Sequence, residues 1–157
     1  DAQSNVAAGE SKLCHNGLVE YMVGNLPVII TAPHGGRHAA PHIADRTSGT
    51  MLTDANTLLV GKDVAQEFHY RTGRFPHVIL CHLKRTKVDC NRDIKEAAQG
   101  DPTAERVWHA FHELTDEAWI RISSSSSRGR GFGTSLSSSS LSCPYRVNTI
   151  AFMSESY

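Results

Sequence analysis

Apolar and polar positions along this chain alternate in short blocks with two different periods. Residues 18–23 read as a strand. Pro27, Val28, Ile29, Ile30 and Thr31 form a second, continuously apolar and β-branched run, the pattern of a strand buried on both faces. Gly24-Asn25 between them is a turn signal, so the two strands are expected to pair as a hairpin. Residues 54–70 read as a helix, with Leu58, Val64, Ala65 and Phe68 near one face. Thr53 or Asp54 can cap its start, and Gly73 lies just past its end. His77–Cys81 is a short buried strand, and residues 84–92 hold another extended piece around Val88. A second helix opens at Asp101-Pro102, where Val107, Phe111, Leu114 and Ala118 recur at helical spacing. Strand, helix, strand, helix is the order of an α/β domain.

Three stretches lack either period. Residues 1–15 are small and polar and read as a loose end. Residues 34–52 form a long loop with Pro41, Gly49 and scattered histidines, and loops of that length are usually functional or disordered. Residues 123–142 include eleven serines in twenty positions, too few apolar groups to offset the entropy of ordering, and read as disordered. Residues 150–157 carry a weak strand signal.

Composition narrows the function classes. The 157 residues include 16 basic and 16 acidic side chains, so neither nucleic acid nor an anionic membrane surface is an expected partner. No apolar run approaches the roughly 20 residues of a membrane span. The chain begins at Asp1 rather than Met, which reads as a removed leader or a fragment. Cys14, Cys81, Cys90 and Cys143 make no CxxC pair and read as free, buried thiols of a reducing compartment such as the cytoplasm. Nine histidines justify looking for a metal.

Candidate chemistry gathers after the apolar strands. His34 follows a strand and Pro33, and Gly35-Gly36 after it would let backbone amides approach a ligand. Asp54 is either a helix cap or a carboxylate that joins His34 on a metal. Asn91-Arg92 forms a plausible clamp for a substrate carboxylate, since a guanidinium fork and an adjacent amide both donate. Asp89 would position Arg92 or pair with Arg85, while Lys84 and Lys87 read as a solvated basic turn. His109 and His112, three apart on the second helix, suit a half-exposed structural role better than a metal pair.

Four of these stretches, in order, resemble the N-formylglutamate amidohydrolase family. Residues 26–36, ending in Pro33-His34-Gly35-Gly36, are similar to its first motif. Thr53-Asp54-Ala55-Asn56-Thr57 resembles the second, residues 84–92 the Arg…Asp-x-Asn-Arg motif, and Trp108-His109-Ala110-Phe111-His112 the aromatic-histidine helix that follows. The likeness covers residues 17–120. It implies a fold like that of zinc carboxypeptidases, an α/β/α three-layer sandwich with a mixed sheet, and hydrolysis of N-formyl-glutamate to glutamate and formate. On that resemblance His34 and Asp54 would ligate Zn2+, Asn91 and Arg92 would hold the substrate carboxylate, and Arg85 would help polarise the amide carbonyl. His112 would support the site from behind. The metal would acidify a bound water and stabilise the tetrahedral intermediate.

The resemblance stops in the tail. The family carries an Asp-x-His motif, the source of the third zinc ligand, after a Gly-Arg-Gly-aromatic stretch. Arg128-Gly129-Arg130-Gly131-Phe132 resembles that approach, yet Gly133-Thr134-Ser135-Leu136 follows, and no histidine occurs after His112. The family's later acidic residue has no match, Glu155 being the one acid of the tail. The expected organisation is therefore a flexible segment over 1–16, a partial amidohydrolase-like α/β domain over 17–120, incomplete at its C-terminal end, and a disordered or aberrant tail over 121–157. Weak or absent turnover is expected. The alternatives are a non-catalytic carboxylate binder and a carboxypeptidase-like peptidase, the latter disfavoured because Arg37 stands where His-x-x-Glu requires the acid.

Overall fold

A computed structural model describes residues 6–127 and 148–151. The elements run β1 (Ser11–Cys14), β2 (Val19–Met22), β3 (Val28–Ala32), α1 (Thr57–Thr72), β4 (His77–Cys81), α2 (Ile94–Ala98), α3 (Pro102–Ser127) and β5 (Asn148–Ala151). The five strands make one mixed sheet in the order β1-β2-β4-β3-β5. The α/β class expected from the sequence is thus observed. Among the described residues no helix is long and apolar enough to cross a membrane.

The expected hairpin between β2 and β3 does not form. β2 pairs antiparallel with β1 and β4, and β3 pairs parallel with β4 and β5. The turn at Gly24-Asn25 instead ties down the entry to β4: the Asn25 and Leu26 amides donate to the Phe75 carbonyl, and the Phe75 amide donates to Asn25 Oδ1. A continuously apolar strand is best satisfied between parallel neighbours with helices over its faces, and the α1 crossover supplies that pairing. The expected loose N-terminal end also needs correction, because Ser11–Cys14 is the edge strand β1. Its alternating exposed and half-buried residues give no apolar stripe to read.

Strand alternation divides the core in two. Ile30 and Ala32 of β3, Val78 and Leu80 of β4 and Ala65 of α1 make one cluster. Ile29, Val19, Tyr21 and Ile79 pack with Val107, Phe111, Leu114 and Ala118 of α3 in the other. α3 begins as its sequence predicts, with Asp101 Oδ1 accepting from the Thr103 and Ala104 amides. It then runs five residues into the serine-rich segment read as disordered, through Ser127. There Ser123 and Ser124 donate to the carbonyls of Trp119 and Ile120, which keeps the hydroxyls satisfied without breaking the helix. Residues 128–147 and 152–157, with the rest of that expectation, lie outside the described residues.

Two local differences matter for function. The extended piece expected around Val88 is a set of turns leading into the short helix α2. And β3 and β4 are parallel, so His34 and residues 84–92 leave the sheet at the same end.

Candidate functional site

At that end four charged or ionisable side chains are buried together. His34, Asp54, Arg85 and Asp89 expose no more than 7% of their surface. His34 Nδ1 lies 2.7 Å from Asp54 Oδ2. Arg85 Nη1 stands 3.7 Å from Asp54 Oδ1, and its Nε donates to Asp89 Oδ2 at 2.8 Å. Its Nη1 also donates to the Leu52 carbonyl. Burial, then the Arg85 charge, lowers the His34 pKa below the ordinary imidazole value, with Asp89 and Asp54 opposing and Arg92 adding to the fall. That fall favours the neutral ring, the form that ligates metals.

The capping role considered for Asp54 is not the one it takes. α1 starts at Thr57, with Asn56 in the left-handed region at its cap and no side-chain cap bond. Asp54 precedes this turn, and its carboxylate points at His34. The Thr57 hydroxyl donates to the His34 carbonyl at 2.9 Å, fastening the helix start to the end of β3. Gly35 and Gly36 serve this closeness. A Cβ on Gly35, at φ +116°, would meet Thr57 Oγ1 within van der Waals contact, and one on Gly36 would collide with the His82 backbone. The near neighbours of both glycines are the chain's own.

Arg46, which the sequence reading passed over, holds the long 34–52 loop in place. Its guanidinium is buried and donates to the carbonyls of Glu96, Thr50 and Arg85. A lone arginine in a Gly/Pro-containing loop offers no pattern that would have marked it. Lys87, read as part of a solvated turn, is buried as well: its ammonium donates to the Ile43 carbonyl and pairs with Asp45 at 2.9 Å. Lys84 is exposed, as read.

Asn91 and Arg92 stand next to this buried group, Asn91 half-buried and Arg92 exposed. Asp89 pairs with Arg85, one of the two roles considered for it, while Arg92 Nε lies 4.0 Å from Asp89 and 3.6 Å from Glu96. The Arg92 side chain is 43% exposed. Asp89 Oδ1 accepts from the Asn91 amide N–H. Among the described residues the Asn91 side-chain amide makes no hydrogen bond. Behind this segment Trp108 Nε1 donates to the Arg92 carbonyl at 2.9 Å, and His112 Nε2 lies 3.1 Å from the Cys90 carbonyl. His112 is half-buried, and His109 is exposed.

A cavity of about 210 Å³ opens elsewhere, lined by Ser11, Glu20, Met22, Lys62, Val78 and Leu80 among others, and it contains none of the predicted site residues. Its charges satisfy one another: Glu20 accepts from Ser11 and lies 2.9 Å from both Lys62 and His82. The His82 ring, first, then Lys62 and Ser11, hold the Glu20 carboxyl down to about 2 against burial. Chemistry is better sought at His34, whose Nδ1 is buried without a hydrogen bond. Cys81 and Cys90 are free and buried, Cys14 is free and half-buried, and Cys143 lies outside the described residues.

A neutral imidazole and a carboxylate are zinc donors. His34 Nδ1 makes no hydrogen bond, and its approach to Asp54 is not aligned as one. A lone pair so close to a carboxylate oxygen is repelled unless a proton or cation lies between them. Either a proton on Nδ1 or a divalent cation between the two atoms would relieve that repulsion. Among the described residues no group of three or more His, Cys, Asp or Glu side chains converges, so His34 and Asp54 would offer a zinc ion two ligands where catalytic sites use three. No family model, curated protein or solved structure matches this chain.

Proposed function

We propose that this chain is a metal-dependent amide hydrolase of the N-formylglutamate amidohydrolase type, with turnover limited by an incomplete metal site. The observation that carries the reading is the buried 2.7 Å approach of His34 Nδ1 to Asp54 Oδ2, two residues twenty positions apart. Zinc held there would acidify a water and polarise the amide carbonyl. The chain's own residues do the rest. Arg85 sets a fixed positive charge behind Asp54 and helps keep His34 neutral. Engaged with Asp89 and Leu52, it acts on the reacting carbonyl through its field rather than by contact. Asn91 and Arg92 present donors for a carboxylate, which orients a small acylated amino acid with its amide toward His34.

The test measures bound zinc by elemental analysis and formate release from N-formyl-L-glutamate. Zinc that binds the chain and is lost in His34→Ala supports the reading, with weak or no formate release expected from two ligands. Equal zinc in His34→Ala would overturn the metal assignment. Rapid turnover on one tightly held zinc would overturn the two-ligand account.

A second reading is favoured by one observation, the open Asn91 amide beside the exposed Arg92. Here the chain is a non-catalytic binder of small carboxylates. Binding of N-formyl-L-glutamate unchanged by a chelator supports it over the hydrolase.

A further inference from the structure

The segment that presents Asn91 and Arg92 is gripped from behind by one face of α3. Trp108 and His112 are four residues apart, so their side chains share that face. Their rings lie together, with centroids 4.1 Å apart and a 45° tilt. Trp108 Nε1–H donates to the Arg92 carbonyl, and His112 meets the Cys90 carbonyl, the two residues that flank Asn91. A carbonyl only accepts, so the His112 proton sits on Nε2. The Asn91 N–H is taken by Asp89, itself locked to Arg85. The Arg92 N–H is taken by the Asp89 carbonyl. The backbone is therefore held at successive residues, while the Asn91 side-chain amide makes no hydrogen bond among the described residues.

We infer that Trp108 and His112 are positioning residues for carboxylate binding: their two hydrogen bonds to the 90–92 backbone hold the Asn91 amide and the Arg92 guanidinium in one fixed register. The inference rests on the reading of Asn91-Arg92 as a carboxylate clamp. A clamp of two donors gains affinity only if both are aimed before the ligand arrives, because ordering them on binding would consume the gain. The Trp108 and His112 bonds perform that ordering in advance. Neither side chain needs to touch the carboxylate.

The experiment is a calorimetric titration of the full chain with N-formyl-L-glutamate and, separately, with zinc, alongside a thermal melt. Trp108→Phe keeps an aromatic ring against His112 and removes the N–H together with the rest of the indole. It is expected to weaken N-formyl-L-glutamate about tenfold, as for one lost hydrogen bond, while leaving zinc affinity in place and the melting midpoint within about 5 °C of the parent's. His112→Phe should act in the same direction, and His112→Gln, which keeps a donor, should recover part of the affinity. Loss of zinc binding and thermal stability together with carboxylate affinity would show a merely structural role and overturn the inference. Unchanged affinity in Trp108→Phe, with Arg92→Ala abolishing binding, would overturn the inference and leave the clamp standing. Unchanged affinity in Arg92→Ala, or no binding to the parent chain, would overturn the clamp itself.

Discussion

The two halves of the candidate site are built by opposite means. Around His34 the side chains are the structure: His34, Asp54, Arg85 and Asp89 are buried against each other, and Arg85 meets Asp89 directly. Around Asn91 and Arg92 the backbone is the structure. Its carbonyls and amides are bound by Trp108, His112 and Asp89, and the Arg92 side chain is left exposed. The difference teaches how removable each group is. Side chains that hold a fold together are costly to alter, whereas side chains merely presented by a fixed backbone can be exchanged at little cost.

The sharpest way to break the comparison is to cut the buried half. Asp89 is fully buried and accepts from Arg85 Nε and from the Asn91 amide. Asp89→Ala leaves the Arg85 guanidinium buried with its best partner gone, and removing one member of a buried pair typically costs about 3–5 kcal/mol. Chemical denaturation is expected to show that loss, with zinc and carboxylate binding both failing. A variant destabilised by under about 1 kcal/mol would mean that Arg85 has relaxed to water, and that the buried half is less rigid than drawn.

Gly36→Ala probes the same half without touching a charge. The added methyl would run into the His82 carbonyl group, and backbone cannot swing aside as a side-chain tip can. The expected loss is about 3 kcal/mol, the upper end for overpacking, with zinc binding reduced because His34 is two residues away.

Acid should act next. The Glu20 carboxyl is held at about 2 in the fold, against its ordinary value of 4.5, by His82 first and then by Lys62 and Ser11. A lowered carboxylate stabilises the fold fully above the unfolded value, and that contribution is lost as pH falls from about 4.5 to about 2. Lys62 is half exposed, so screening reduces the effect to about 2 kcal/mol. Denaturation midpoints at about pH 6 and about pH 3 measure it, and Glu20→Gln should remove that part of the difference. A Glu20→Gln variant with the parent's full acid sensitivity would exclude this mechanism.

The same contrast decides what could be read from sequence. α1 and α3 carry periodic apolar stripes, and β3 and β4 continuous apolar runs, so their places were legible within a few residues. β1 was not, because an edge strand of half-exposed polar residues buries no stripe. The β2–β3 hairpin was misread because a local turn signal says nothing about β4 entering between them, which is a long-range choice. His34, Asp54 and Arg85 were placed together by the order of motifs, and the structure brings these three together. Arg46 and the grip of Trp108 on Arg92 were not foreseen, since both act on backbone carbonyls, which carry no residue-type signature. The i, i+4 spacing of Trp108 and His112 was the one available clue.

Arg92 gives the smallest effect on stability and the clearest separation of the two halves. Its guanidinium is 43% exposed and stands 4.0 Å from Asp89 and 3.6 Å from Glu96, distances too long for strong hydrogen bonds. Exposed pairs of this kind contribute about 0.2–1 kcal/mol, and Asp89 keeps its shorter contact with Arg85 whether or not Arg92 is present. Arg92→Ala is therefore expected to shift the unfolding free energy by under about 0.5 kcal/mol. Zinc binding at His34 and Asp54 should persist, since Arg92 reaches them only through its field. Affinity for N-formyl-L-glutamate should fall at least about tenfold, because a charge-assisted contact is worth roughly twice a neutral one. Arg92→Lys should recover little of it, since an ammonium keeps the charge but not the planar fork. Full recovery in the lysine variant would reduce the clamp to a simple attraction of charges, and a large loss of stability in Arg92→Ala would dissolve the distinction between a half that holds the fold and a half that the fold presents.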